Sequence, residues 1–200
     1  MPGGTVVLIV ENEPEVVEAD LRAGKLACPH CEADLRPWGS ARLRTTRLAV
    51  GVERHRPRRG RCRGCQKTSV LLSERFFTRR VDEAALIGEA LFAKATGSGQ
   101  RAAAARTGRA RETVRNWFAR FGRRAAELSR HFLAWALALD ARLHEVPPQG
   151  SGFADAVEAL ALAARAASLC FGKKPVWSWA SRMTAGGLLA NTTWPYPAPP

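Results

Sequence analysis

The chain of 200 residues carries a formal net charge of +13, with 31 lysines and arginines against 18 acids. Hydrophobic residues make up 46% of it, a share that excludes an intrinsically disordered chain. Such a positive charge favours polyanionic partners, meaning nucleic acid or an anionic membrane surface. No stretch resembles a signal peptide or is long enough to span a bilayer, so we expect a cytoplasmic protein without a membrane partner.

The N-terminal residues predict one strand and one helix. Residues 5–10 are apolar, short and largely β-branched, as in a buried strand. Pro14, flanked by acids, opens a short helix that Gly24 ends. We therefore expect residues 1–25 to form a strand and a helix ahead of the next domain.

Two Cys-x-x-Cys pairs follow, joined by a strand-rich segment. Four thiolates in two such pairs can close a tetrahedral zinc site, and Gly64 inside the second pair permits an unusual backbone angle. The alternatives are a redox motif or two unrelated thiol pairs, but a redox motif normally occurs once, near a βαβ pattern. We predict a zinc ribbon over residues 26–80, with structural Zn²⁺ held by Cys28, Cys31, Cys62 and Cys65.

Arginines dominate the predicted strands of this ribbon. Because guanidinium groups neutralise phosphates, we predict that these side chains contact a nucleic-acid backbone. The alternative is a solvated strand face. The predicted phosphate contacts in the ribbon are Arg42, Arg44, Arg47, Arg54, Arg56, Arg58, Arg59 and Arg61.

Helical patterns begin near Val81. Asp82 is predicted to cap a helix that runs through Ala95, and a shorter helix follows and ends at Gly108. A third helix starts at about Arg111, and one apolar stripe on it contains Val114, Trp117, Phe118 and Phe121. Residues 81–125 thus have the layout of a three-helix helix-turn-helix DNA-binding domain.

The opposite side of the third helix is basic and polar. Arginine and asparagine bind guanine and adenine edges in the major groove, which predicts base contacts from Arg111, Arg115, Asn116 and Arg120. Arg109 in the preceding turn and Thr113 near the helix start are predicted to contact phosphates. A helical hairpin with a solvated basic face is the alternative interpretation.

Residues 126–200 predict a C-terminal helical region with a flexible, proline-rich end. An alanine- and leucine-rich helix should cover residues 153–170, with Cys170 as a small buried hydrophobe. This helix could also bind a partner or a second copy, although such residues more often pack internally. The tryptophans considered with it are Trp177, Trp179 and Trp194.

The combined pattern resembles the N-terminal DNA-recognition region of insertion-sequence transposases, and most closely a family of uncharacterised actinobacterial proteins without a recognisable nuclease domain. The resemblance covers roughly residues 26–122. The matching segments are Cys28-Pro29-His30-Cys31, the run from Arg56 to Cys65, Val70-Leu71-Leu72, and the run from Glu112 to Trp117.

Such transposases continue into a ribonuclease-H-like domain whose carboxylates hold two metal ions. After Arg130 the acids of this chain are only Asp140, Glu145, Asp155 and Glu158. The resemblance therefore implies DNA recognition without strand transfer. With no histidine–carboxylate constellation and no phosphate-cradling loop either, we predict that the protein is not an enzyme.

These patterns predict an α+β protein with a small antiparallel zinc ribbon, a three-helix helix-turn-helix unit and a C-terminal helical segment. We expect a nucleoid-associated protein that binds double-stranded DNA sequence-specifically, as a regulator or a transposase-derived recognition module. The alternative is a helical interaction or oligomerisation module with non-specific nucleic-acid affinity, including a homodimer through the C-terminal helices.

Overall fold

The computed structural model describes residues 6–143, 146–191 and 196–200, and within them the protein is α+β. The strands are β1 (Val6–Val10), β2 (Leu35–Ser40), β3 (Arg44–Arg47), β4 (Val52–His55), β5 (Arg58–Cys62) and β6 (Thr68–Ser73). The helices are α1 (Pro14–Ala23), α2 (Ala84–Ala95), α3 (Gln100–Thr107), α4 (Arg111–Gly122), α5 (Ala125–Leu139), α6 (Gly152–Phe171) and α7 (Val176–Met183).

Four strands form one sheet in the order β1-β6-β5-β2, and β3 and β4 form a separate antiparallel pair. The pairs β2–β5 and β5–β6 are antiparallel, as predicted for the ribbon. β1 instead runs parallel to β6, with Val6 opposite Ser69. β1, from the segment predicted to precede the ribbon, is therefore part of the same sheet as β6, β5 and β2.

A small core lies between α1 and this sheet. Val17 and Leu21 of α1 pack against side chains from the strands and against two of the cysteines. Each fully buried aliphatic side chain contributes about 1.5–3 kcal/mol, so a core of this size is marginal by itself. The buried residues in this cluster are Val10, Val17, Leu21, Cys28, Leu35, Cys62 and Leu71.

A second, larger core belongs to the helices. α2, α3 and α4 contact one another, and buried alanines such as Ala90 and Ala103 allow their close approach. The predicted stripe on α4 is confirmed, with Phe118 partly buried and Val114, Trp117 and Phe121 fully buried. α3 ends before Gly108, so the turn into α4 has the predicted short length.

α5 and α6 lie side by side and run parallel. The Phe121 ring, just before α5, is 4.7 Å from the Phe153 ring at the start of α6. At the other end, Cys170 Sγ lies 3.6 Å from the carbonyl oxygen of Leu139, the last residue of α5. None of the helices within the described ranges combines the length and apolar character needed to cross a bilayer.

The prediction that Cys170 is buried is wrong. It is exposed, as are its neighbours Leu169 and Phe171. All three belong to the last turn of α6, which lies level with the end of α5 and has little of that helix left to cover it.

Trp179 does pack internally, because it is buried and its Nε1 donates to Ser168 Oγ at 2.8 Å.

The proline-rich end contacts α5. The Tyr196 ring lies 4.7 Å from the His131 ring, and Trp135 Nε1 donates to the Pro197 carbonyl at 3.3 Å. These contacts place Tyr196 and Pro197 against α5, and the predicted flexibility of this end stays a prediction. Trp194 lies outside the described residues.

Four charged side chains join the sheet to α7. Glu74, just after β6, is buried and accepts hydrogen bonds from Lys174 Nζ, at 3.1 Å, and from Arg182 Nε. Glu11, just after β1, pairs with the same two cations at 2.5 and 2.6 Å. Burial tends to raise the pKa of Glu11, but Lys174 and Arg182 outweigh it and hold that pKa below its ordinary value.

Candidate metal centre and nucleic-acid surface

The four predicted cysteine ligands meet in space. Their Sγ atoms all lie within 4.8 Å of one another, and we call this group the four-cysteine centre. Across the two pairs, Cys28 Sγ is 3.7 Å from Cys65 Sγ, and Cys31 Sγ is 3.4 Å from Cys62 Sγ. All four are free thiols.

These separations fit a tetrahedral metal ion. With Zn–S bonds of about 2.3 Å, the sulfurs of a tetrahedral site lie about 3.8 Å apart. Cys28 and Cys62 are each only 1% exposed, so the ion would be shielded on the side of the small core. The four-cysteine centre can therefore hold a structural metal ion, and four sulfur ligands leave no open coordination position.

Backbone amides point at the sulfurs in both pairs. His30 N–H donates to Cys28 Sγ and Cys65 N–H to Cys62 Sγ, each at 3.4 Å. The Cys65 amide is the main cause that lowers the pKa of Cys62 to about 6, against the opposing effect of burial. Because the thiolate is the metal-binding form, this arrangement favours ligation.

The two cysteine loops share one backbone geometry. The amides of Cys28 and Cys62 each donate at 2.9 Å to the carbonyl five residues later, at Ala33 and Lys67. Glu32 and Gln66, each directly after a second cysteine, adopt left-handed φ values of 61° and 60°. The two loops thus repeat one backbone conformation, although apart from the cysteines their residues differ.

The prediction that Gly64 is needed for an unusual backbone angle is wrong. Gly64 does not have a positive φ, and the left-handed residue of its loop is Gln66. A Cβ at Gly64 would stand 3.1 Å from Ala33 Cβ and 3.5 Å from Cys31 Sγ. Glycine therefore fits here because the first cysteine loop packs closely against it.

Asp82 does not cap α2, which corrects the sequence-based prediction. The residue at the N-cap position is Glu83, without a side-chain cap. The Asp82 side chain is 3% exposed, and its two oxygens accept from Arg47 Nη2 at 2.7 Å and from Arg109 Nε at 2.6 Å. Arg109 Nη2 also donates to the Leu48 carbonyl at 2.8 Å.

This ion-paired group links two regions predicted to contact DNA. Arg47 belongs to β3, and Arg109 lies in the turn that leads into α4. Only 14% of the Arg109 side chain is exposed, and its guanidinium binds Asp82 and the Leu48 carbonyl rather than solvent. Its predicted phosphate contact and that of Arg47 stay predictions, and both side chains have a structural role.

The segment we call the arginine hairpin (residues 42–56) contains β3 and β4. Four of its arginines are exposed: Arg42, Arg44, Arg54 and Arg56. The nearby Glu53 carboxylate is occupied by Arg75 Nη1 at 3.3 Å. Among the described residues, these four guanidiniums have no carboxylate within 4 Å, so their charges face solvent uncompensated.

The predicted base-contacting face of α4 is open to solvent. Arg111, Arg115 and Asn116 are exposed and Arg120 is partly exposed, while Thr113 near the helix start is half-buried. Two of these side chains share one carboxylate: Arg115 Nη2 and Asn116 Nδ2 donate to Glu112 Oε1 at 2.6 and 3.3 Å. An exposed pair of this kind contributes at most about 1 kcal/mol, so a stronger ligand can displace it.

The cationic surface continues beyond α4. Arg80 is partly buried, and its pKa is lowered first by burial and then by the neighbouring charges of Arg120 and Arg79. The positive charges of Arg79 and Arg120 therefore both act on Arg80. Arg79 and Arg80 carry no pattern that distinguishes them in the sequence, and they were not among the predicted contacts.

Three further arginines predicted to contact phosphates, Arg58, Arg59 and Arg61, have partners within the protein. Arg58 Nε donates to Glu18 Oε2 at 2.8 Å, and this bond is the main cause that lowers the pKa of Glu18. Arg59 Nη2 donates to Thr68 Oγ1 at 2.8 Å. The guanidinium of Arg61 lies 4.4 Å above the Trp38 ring centroid, a contact absent from the sequence-based predictions. Their phosphate contacts stay predictions.

Comparison with known proteins finds no matching family model, no similar curated protein and no similar solved structure. The resemblance to transposase recognition regions therefore stays a prediction.

Proposed function

We propose that the protein binds double-stranded DNA sequence-specifically, with a structural Zn²⁺ ion in the four-cysteine centre. Helices α2, α3 and α4 act as the helix-turn-helix unit, and Arg111, Arg115, Asn116 and Arg120 face the bases. The arginine hairpin holds the phosphate backbone. The protein carries out no catalysis in this proposal, and it acts as a regulator or a transposase-derived recognition module.

The observation that carries this proposal is the Asp82 ion pair. One buried carboxylate holds both Arg47 of the arginine hairpin and Arg109 of the turn before α4. The hairpin charges and the start of α4 are therefore held side by side rather than on independent segments. A helix that inserts into the major groove needs phosphate contacts on the flanking backbone, and such a neighbour supplies them.

The charges set a quantitative expectation. If the four exposed arginines of the hairpin and one arginine of α4 each neutralise a phosphate, log affinity should fall with log salt with a slope of about −4.5. Measuring the duplex affinity of the zinc-loaded protein at several salt concentrations tests this. A flat salt response would contradict the proposal.

Variants locate the surface. The double variant Arg44→Ala/Arg54→Ala removes two predicted phosphate contacts and should reduce the salt slope by about 2. Arg22→Ala/Lys25→Ala is a matched control, because these cations are exposed on and beside α1 and outside the proposed surface. Equal effects of both double variants would show that only net charge matters.

Selection of bound sequences from random duplexes tests specificity. Enrichment of a motif that is lost in Asn116→Ala would support base recognition by α4, and its absence would leave a generic polyanion binder. Incubation of nicked and supercoiled DNA with the protein and Mg²⁺ tests the proposed lack of catalysis.

We also propose that a homodimer, if the target site has two-fold symmetry, uses the C-terminal helices. Among the described residues, the large apolar side chains exposed there are Leu137 of α5, Leu169 and Phe171 of α6 and Val176 of α7. Sedimentation of the protein with and without a palindromic duplex measures the stoichiometry directly.

A further inference from the structure

Trp38 is an exposed tryptophan in an unusual stretch of the sheet. It is 49% exposed and lies on β2, an edge strand of the sheet. The pairing of β2 with β5 is irregular between Pro37 and Ser40, and Gly39 has a left-handed φ of 74°. Such bulges redirect side chains and are frequent beside functional sites.

Arg61 covers one side of this ring. Its guanidinium carbon lies 4.4 Å from the centroid of the Trp38 ring, which is the geometry of a cation–π pair. Since the guanidinium occupies one side and about half of the residue is accessible, aromatic surface remains available for a flat ligand. A positive charge already stacked on the ring also makes a second cation an unfavourable ligand.

The surroundings of the ring are cationic. Arg59 lies two residues before Arg61 on β5, so both side chains belong to the same face of the sheet. Within the described part of the chain, neither guanidinium has a carboxylate within 4 Å. An anionic ligand with a flat aromatic group complements this pair of features.

We propose that Trp38 and Arg61 form a stacking site for an unpaired nucleobase of a single-stranded nucleic acid. Arg59, beside this site, would contact the phosphate backbone of the same strand. Bases within a duplex are already stacked and paired, so only an unpaired base offers a free ring face to tryptophan. The inference rests on the proposed function and deepens it. The site would hold a single-stranded segment, while α4 and the arginine hairpin hold duplex.

Apolar partners fit this surface less well. The residues next to Trp38 are Pro37, Gly39 and Ser40, which provide little apolar area for a protein or a membrane. On the opposite strand, Arg61 lies across from Arg36 and Arg58 across from Ser40, and arginines favour phosphate. A nucleic-acid strand offers a base to stack on the ring and phosphates to pair with the arginines.

The test compares two probes on the same protein: a labelled oligothymidylate of about 15 nucleotides and the duplex enriched by selection. Trp38→Ala should weaken oligothymidylate binding by about 5- to 100-fold and change duplex affinity by less than about twofold. Trp38→Phe keeps an aromatic ring and should lose much less affinity for oligothymidylate. Phe92→Ala removes a ring of similar exposure from α2 and is the matched control.

The outcomes separate the two proposals. If the wild-type protein binds neither probe, the proposed function fails and this inference fails with it. If the duplex is bound and Trp38→Ala holds oligothymidylate as the wild type does, only the stacking site is overturned. Equal weakening of both probes also overturns it, because the ring would then have no preference for unpaired bases.

A second measurement is needed if Trp38→Ala loses zinc or if its circular dichroism spectrum shows that it is unfolded. Tryptophan emission of the wild type should be quenched by oligothymidylate more than that of Trp38→Phe, and equal quenching overturns the proposal. Vesicles with anionic lipid serve as the competing probe. Trp38-dependent binding to vesicles that oligothymidylate does not displace would assign a membrane instead.

Discussion

The indole ring of Trp177 packs directly onto Gly88, at a position where α2 has no side chain. A Cβ built at Gly88 would stand 1.9 Å from Cε2 of this ring. Gly88 therefore sits in a buried stretch of α2, despite the cost of glycine in a helix interior, because any larger residue would displace Trp177. The contact joins α7 to the proposed helix-turn-helix unit.

Gly88→Ala should consequently destabilise the protein although alanine is the better helix former. We expect a net loss of about 1–3 kcal/mol in the free energy of unfolding, since the ring must move out of its packed position. Urea denaturation followed by circular dichroism measures the loss. Gly152→Ala is the matched control, because a Cβ there meets open space and the variant should be neutral or slightly stabilised.

Asp82→Asn should separate the arginine hairpin from the turn before α4. The variant leaves Arg109 largely buried without its counter-charge, and we expect a loss of about 3 kcal/mol. If the proposed function holds, duplex affinity should fall further than the unfolded fraction explains, because the two proposed DNA-contacting groups lose their common anchor. Asp20→Asn is the control, since Asp20 pairs with the exposed Lys25 at 3.7 Å and its loss should cost little.

Zinc removal should unfold the strands before the helices. The small core beneath α1 is marginal without a metal, whereas the larger helical core contains no metal ligand. Treatment with a strong chelator, or the variant Cys62→Ser, should expose the amides of β1, β2, β5 and β6 to hydrogen exchange. The amides of α5 and α6 should stay protected. Retention of strand protection in a protein shown to be metal-free would contradict a structural role for zinc.

Glu112→Gln should raise duplex affinity. The Glu112 carboxylate occupies Arg115 and Asn116 and adds a negative charge to the proposed base-contacting face. We expect a gain of a few-fold, about 0.5–1 kcal/mol, measured by fluorescence anisotropy at fixed salt. Glu89→Gln removes the same charge from an exposed site on α2. A selective loss of affinity in Glu112→Gln would instead show that this carboxylate accepts a hydrogen bond from cytosine.

His131 should make stability depend on pH. Burial lowers its pKa from the ordinary 6.5, against the opposing effect of the Met183 carbonyl, which lies 2.8 Å from Nε2. The unfolded chain therefore binds a proton more readily than the folded one below pH 6.5, and stability should decrease as the pH falls from 6.5 towards the folded pKa. His131→Gln should flatten this part of the curve of unfolding free energy against pH.

Local patterns predicted the features that depend on local spacing. The two-residue gap within each cysteine pair, the apolar stripe of α4 and the glycine at the end of α3 each follow from one turn of chain geometry. All three are found where they were expected. The metal identity and the DNA contacts stay predictions.

Features that depend on distant residues were not predictable in this way. Asp82 has the local setting of a helix cap, and only the fold brings Arg47 and Arg109 to it. Glu11 and Glu74 look like ordinary surface acids, yet they meet cations about a hundred or more residues away. Trp38 and Arg61 meet because β2 pairs with β5. Single-residue preferences carry no information on such encounters.

The parallel alignment of β1 with β6 has a consequence for the order of assembly. During synthesis, β1 emerges first but must wait until its partner β6, 63 positions further on, has been made and has paired with β5. Since closing so long a loop is entropically costly, metal capture between the two cysteine loops should come first and present β6 as a template. Chains that have not captured the metal would then keep an unpaired, apolar first strand, which is a target for chaperones and proteases.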